Sequence, residues 1–133
     1  MDVTPAAHAA ALWAGLSLIL LLVLSVRVVR LRRRHEVSLG HGDIPDLAHA
    51  VRAFGNATEY VPAAIAALAV LAVVGAAPLM VHAGGLMLFA GRLSHAWGLS
   101  RSGGASLPRA AGVVLTWLAY ILVAVSLIFY AIP

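Results

Sequence analysis

Arg52, Asn56 and Glu59 fall at i, i+4 and i+7 within one largely apolar stretch. On a helix those spacings share a face. Arg92 and His95 make a second set at i and i+3, and Arg109 opens a third apolar run. The residue types point to ligand capture. A guanidinium grips a carboxylate through two parallel hydrogen bonds, and an Asn side chain both donates and accepts. Arg52, Arg92 and Arg109 together face a single acid, Glu59. That surplus suits an anionic ligand that also carries an ammonium group, with Glu59 taking the ammonium. The plainer alternative is an ion-pair network that only holds helices together.

The elements that position these residues must lie in a membrane. Of 133 residues 62% are hydrophobic and 11% are charged, against about a quarter charged in a soluble domain. The mean hydropathy is +0.98. Such a chain cannot clothe a soluble domain in polar groups, and it is too apolar to be disordered. There is no cysteine, which excludes disulfides, thiolate metal sites and a cysteine nucleophile. His35, Glu36 and His41 match no metal-ligand spacing, so no metal is expected. The net charge is +4, and every basic residue is Arg. These Arg sit between apolar runs rather than over a polar face, which argues against nucleic acid as a partner.

Residues 3–26, 60–91 and 110–133 contain no Asp, Glu, Lys or Arg. A span needs about 20 apolar residues, so the first and last runs hold one each. The middle run is too long for one, and Gly75 and Pro78 punctuate it. The expected spans are therefore about 4–30, 46–74, 79–99 and 109–132. This is an all-α integral membrane protein, a four-helix up-down-up-down bundle in a single domain over 1–133, with a loop at 100–108. The first apolar run is too long for a signal peptide, and the Arg cluster follows it rather than preceding it.

All nine Arg fall on one side of this arrangement: Arg27, Arg30, Arg32, Arg33, Arg34, Arg52, Arg92, Arg101 and Arg109. The positive-inside rule puts that side in the cytoplasm and both termini outside it. The cluster at 27–34 serves as a topology anchor against lipid headgroups. Charges inside membrane helices cost about 2.5–3.5 kcal/mol each at the centre, so Arg52, Glu59 and Arg92 need a reason to be there. Gly55 removes bulk beside them, and Pro62 frees the Thr58 carbonyl and can kink the helix. Gly84, Gly91 and Gly98 recur every seven residues as a smooth stripe for close helix contact. Thr116 and Ser126 are expected to bond to their own helix backbone.

The stretch Arg52-Ala-Phe-Gly-Asn-Ala-Thr-Glu-Tyr-Val-Pro62 resembles the second-helix motif of the membrane-associated proteins in eicosanoid and glutathione metabolism. Gly91-Arg-Leu-Ser-His-Ala-Trp-Gly-Leu99 resembles their third-helix motif. Length, span number and the basic first loop agree, so the resemblance covers nearly the whole chain and points to a bacterial-type member. It implies a homotrimer that binds glutathione between subunits near the cytoplasmic face. Arg52, Asn56, Glu59, Arg92 and His95 are the implied glutathione contacts. Arg109 and Arg92 are the implied catalytic cations, with Arg109 matched by position alone. The chain departs from the family where Phe54 and Gly55 stand in place of His and Arg, and where Trp97 and Leu99 occupy a region in which Tyr is common. The implied activity is transfer of glutathione to an apolar electrophile from the bilayer, or reduction of a lipid hydroperoxide. The alternative is a non-enzymatic lipid- or ligand-binding protein on the same scaffold. The expected partners are glutathione, a hydrophobic small molecule or lipid, membrane lipids and two further copies of the chain.

The orientation is directly testable. Reporter fusions at Pro133 and within residues 35–44 should report opposite compartments, the second one cytoplasmic; a cytoplasmic C-terminus would overturn the span arrangement.

Overall fold

The computed structural model describes residues 3–101 and 103–132, and every regular element among them is an α-helix. Ser102, inside the loop expected at 100–108, and Pro133, at the end of the last apolar run, lie outside the described residues. The helices are α1 (Pro5–His35), α2 (Pro45–Val73), α3 (Pro78–Arg101) and α4 (Leu107–Ala131). Each has a proline in its first turn, where the missing N–H would have had no partner in any case. Thr4 caps α1 by accepting from the Ala7 N–H at 3.2 Å. The Asp46 carboxylate accepts from the Leu47 N–H at 2.8 Å at the start of α2. Gly75, at φ +79, makes the tight turn between α2 and α3.

Several boundaries differ from the sequence expectation: α3 runs on to Arg101, two residues into the expected loop, and two others shift for plain physical reasons. α1 runs on to His35, five residues past the expected span, before Glu36 closes it in the left-handed region. Its last turn holds Arg32, Arg33 and Arg34, cations that favour the negative end of the helix dipole. α4 begins at Leu107 rather than Arg109, so Pro108 opens the helix instead of closing the loop.

Three helices, α1, α2 and α4, are long and apolar enough to cross a membrane. α3 has 24 residues, enough for a span, but its glycines, His82, Arg92, Ser94 and His95 dilute its apolar character. Of these polar groups Arg92 and His95 are buried, Ser94 is half-buried and His82 is exposed. The outer surface is the reverse of a soluble protein's. Leu18, Ile19, Leu22, Val125, Ile128 and Phe129 are all more than half exposed, as a lipid-facing surface requires.

The core forms three layers along the helices. Trp13, Leu68, Leu71, Val81, Leu88 and Val123 fill one end. Leu20, Leu24, Ala53, Ala57, Ala96 and Leu99 fill the middle. Val28, Leu47 and Ala50 fill the other end. The glycine stripe of α3 lies against α4. A Cβ on Gly91 would sit 2.9 Å from the Gly112 carbonyl, and one on Gly98 would sit 2.8 Å from the Arg109 nitrogen. Gly84 meets Val123, and Gly85 meets the Trp13 ring of α1. Gly112 answers from α4, where a Cβ would lie 2.5 Å from the His95 nitrogen. The stripe is therefore used within the chain and is not left as a free surface. At Gly55, on α2, nothing of the chain lies within 4 Å of where its Cβ would be.

This contrast sets a stability test. Gly112→Ala forces a methyl against backbone that cannot swing aside, and overpacking of this kind costs about 1–3 kcal/mol. Thermal unfolding in detergent should show that loss, while Gly15→Ala, which meets nothing within 4 Å, should hold or gain stability.

Candidate functional site

The polar residues singled out by spacing meet where α2, α3 and α4 converge. Arg92 is at the centre, with 2% of its surface exposed. Its Nη1–H donates to Asn56 Oδ1 at 2.7 Å, and its Nε–H donates to Thr116 Oγ1 at 2.8 Å. Its Nη2–H donates to the Gly112 carbonyl at 3.3 Å. The guanidinium also lies 4.8 Å from the centre of the Tyr60 ring, within cation–π range. A buried cation without such partners would be prohibitively costly. Here one side chain of α3 ties α2 to α4.

The chain of bonds continues outward. Because Asn56 Oδ1 accepts from Arg92, its amide N–H faces the other way and donates to Glu59 Oε2 at 3.2 Å. Glu59 Oε1 accepts from Arg52 Nη1 at 2.8 Å. Arg52 and Glu59 are on the surface, with side chains 57% and 51% exposed. The result is a graded site: a buried cation, a buried amide, then an exposed ion pair on the outer face of α2. The exposed pair is open to a ligand, whereas Arg92 is enclosed.

His95 lies one turn beyond Arg92. Its Nδ1 lies 3.1 Å from the Arg109 carbonyl, which can only accept, so Nδ1–H is the donor. Arg109 thus joins the site through its backbone. Its guanidinium turns to the loop, with Nη1 at 3.4 Å from the carbonyls of Gly103 and Gly104. The structure brings Arg52, Asn56, Glu59 and Arg92 into one bonded chain and places His95 beside it. It does not bring the Arg109 side chain into that chain.

Sequence reasoning missed three contributors. Thr116 does bond to its own helix, donating to the Gly112 carbonyl at 2.8 Å as expected, but it also accepts from Arg92. Tyr60 stacks on Arg92. The Tyr120 hydroxyl donates to the Tyr60 carbonyl at 2.6 Å, close to Pro62. Gly112, Thr116 and Tyr120 repeat every four residues, a polar stripe on α4 that could have signalled a partner for Arg92. Ser126 bonds to the Leu122 carbonyl, as expected. His35 Nε2 lies 3.3 Å from Asp46 Oδ2.

The sequence profile of the MAPEG family matches residues 10–129. The chain belongs to the MAPEG family. It is also similar to the inner membrane protein YecN of Escherichia coli strain K12, at 39% identity over 120 residues, 90% of each chain. YecN of Escherichia coli O6:H1 matches with the same figures. This MAPEG chain is therefore an integral membrane protein, helical in every regular element of the described residues, with a buried polar cluster at the α2–α3–α4 contact.

The central tie has a measurable consequence. Thr116→Val keeps the shape but leaves the Arg92 Nε–H without its acceptor, and an unsatisfied buried donor costs about 1–3 kcal/mol. The unfolding midpoint should fall accordingly. Thr58→Val, at an exposed hydroxyl bonded within its own helix to the Gly55 carbonyl, should change it little.

Proposed function

We propose that this protein binds glutathione at the Arg52–Asn56–Glu59 face and acts as a glutathione transferase or peroxidase on apolar electrophiles from the bilayer. The observation that carries the reading is the exposed Arg52–Glu59 pair, oriented by the buried Asn56–Arg92 bond, on an otherwise apolar helix. Lipid is a poor cover for that pair. A zwitterionic ligand is a good one: its carboxylate meets Arg52 and its ammonium meets Glu59. Family membership supports glutathione as that ligand.

The assembly in this reading is a homotrimer of up-down-up-down bundles in the inner membrane, with both termini outside the cytoplasm. The open space at Gly55 beside the ion pair supports a neighbouring subunit or ligand there. Chemistry needs the glutathione thiolate, since the thiolate is the nucleophile. Arg109 is the candidate activating cation, and Arg92, held within the protein, positions Asn56. In transfer, the thiolate sulfur bonds to the electrophilic carbon, and the displaced electron pair leaves with the leaving group or takes up a proton. In peroxide reduction, two glutathiones become the disulfide while the hydroperoxide becomes an alcohol and water.

A non-enzymatic ligand-binding protein is the second reading. The orientation of the Arg109 guanidinium toward the 103–104 carbonyls, away from Arg52 and Glu59, favours it.

Three substitutions separate the parts. Glu59→Gln keeps the shape but removes the charge that meets the ammonium. A hydrogen bond to an ionised group is worth about 1.5–3 kcal/mol, so glutathione affinity should fall about tenfold to a hundredfold. Arg52→Gln should lose a comparable amount. Arg109→Gln should largely keep binding while the ultraviolet absorbance of bound thiolate and the turnover disappear. Unchanged binding by a folded Glu59→Gln protein would reduce Glu59 to a structural ion-pair partner. Intact thiolate in Arg109→Gln, or no turnover by the unaltered protein despite binding, would favour the ligand-binding reading.

A further inference from the structure

A second polar cluster lies away from the Arg52–Glu59 face, at the end of α1 that carries the Arg cluster. A groove of about 610 Å³ runs along the outside of α1, lined by Leu22, Val23, Val26, Arg27, Arg30 and Asp46. Its floor is apolar and lies on the lipid-facing surface, where Leu22 and Val23 are more than half exposed. Its head is charged. Leu22 and Arg30 are eight residues apart, about 12 Å along a helix. The groove therefore passes from hydrocarbon to headgroup chemistry over the distance in which a phospholipid does the same.

The charges at the head are specific in kind. Arg27 is anchored, donating through Nη1 to Ser100 Oγ at the end of α3, with Nη2 at 3.5 Å from the Ser100 carbonyl. Arg30 is exposed and makes no such tether among the described residues. Two guanidiniums a turn apart suit a phosphate. Asp46 stands beside them from α2, and its carboxylate is 49% exposed. One oxygen accepts from the Leu47 N–H and the other faces His35 Nε2 at 3.3 Å. Each carboxylate oxygen has two acceptor positions, so a further donor can be accommodated. A purely anionic headgroup would leave Asp46 repelling it. A headgroup with a phosphate and a primary ammonium satisfies all three charges.

We infer that this groove seats a phospholipid with an aminoethyl phosphate headgroup, its phosphate on Arg27 and Arg30, its ammonium on Asp46 and one acyl chain along Leu22, Val23 and Val26. A primary ammonium donates hydrogen bonds to the carboxylate; a trimethylated one cannot, and a glycerol headgroup carries no positive charge. The site is independent of glutathione binding, so each reading can fail without the other.

Native mass spectrometry of the full-length protein in mild detergent tests the assignment by counting retained lipid. The unaltered protein should retain phosphatidylethanolamine about two- to fivefold better than phosphatidylcholine or phosphatidylglycerol, the range expected of a partly exposed charge pair. Asp46→Asn should erase that preference. Arg30→Gln should lower retention of phosphatidylethanolamine and phosphatidylglycerol alike. His35→Gln, which removes the neighbour of Asp46 but not the carboxylate, should keep the preference and so separates loss of the lipid contact from loss of the His35 pair. Soluble glycerophosphoethanolamine should not compete, because it lacks the chain that covers the apolar floor. Equal retention of the three lipids, a preference that survives Asp46→Asn, or competition by the soluble headgroup would overturn the inference.

Discussion

A cation buried in a membrane helix dictates the rest of this structure. Arg92 could not remain charged among apolar helices unless its donors were met, and bilayer lipid offers nothing to meet them. The answer is three neutral acceptors on two other helices: Asn56 Oδ1, Thr116 Oγ1 and the Gly112 carbonyl. The Tyr60 ring adds a face of negative potential. To bring those acceptors close, α3 and α4 must nearly touch, and Gly91 and Gly112 permit it. Removing one partner of such a group is expected to cost more than an ordinary contact, since the charge would remain buried.

The same constraint shapes the surface. Arg92 fixes which end of the Asn56 amide faces Glu59, and Glu59 in turn holds Arg52. Rigidity in the core is thus passed outward to two charged groups that stand exposed. A ligand arriving at Arg52 and Glu59 finds them already oriented, so less conformational freedom is lost on binding. The buried end of the chain of bonds supports the fold, and in the proposed function the exposed end supplies recognition.

Much of this was legible in the sequence because membranes impose simple rules. Apolar runs bounded by Arg located the helices, and Gly75 with Pro78 located the α2–α3 turn. Spacing alone placed Arg52, Asn56 and Glu59 on one face. What spacing could not supply was direction. Arg92 and Arg52 look equivalent in sequence, yet one is enclosed and the other exposed, because only Arg92 has Thr116 and Gly112 opposite it. Arg109 looks equivalent too, but its guanidinium turns to the 103–104 carbonyls. The polar stripe Gly112–Thr116–Tyr120 escaped notice because its members are common in membrane helices as self-satisfied groups. Boundaries shifted where local chemistry overrode hydropathy, as the Arg-rich last turn of α1 shows.

The central claim is that the exposed pair, set by the buried tie, recognises a zwitterion of the glutathione type. Equilibrium binding of glutathione and of its N-acetylated form to the detergent-purified protein tests it most directly, because acetylation turns the ammonium group assigned to Glu59 into a neutral amide. The account predicts saturable binding of glutathione and about tenfold or more weaker binding of the N-acetylated form. Equal affinity for both, or no saturable binding of either, would contradict it.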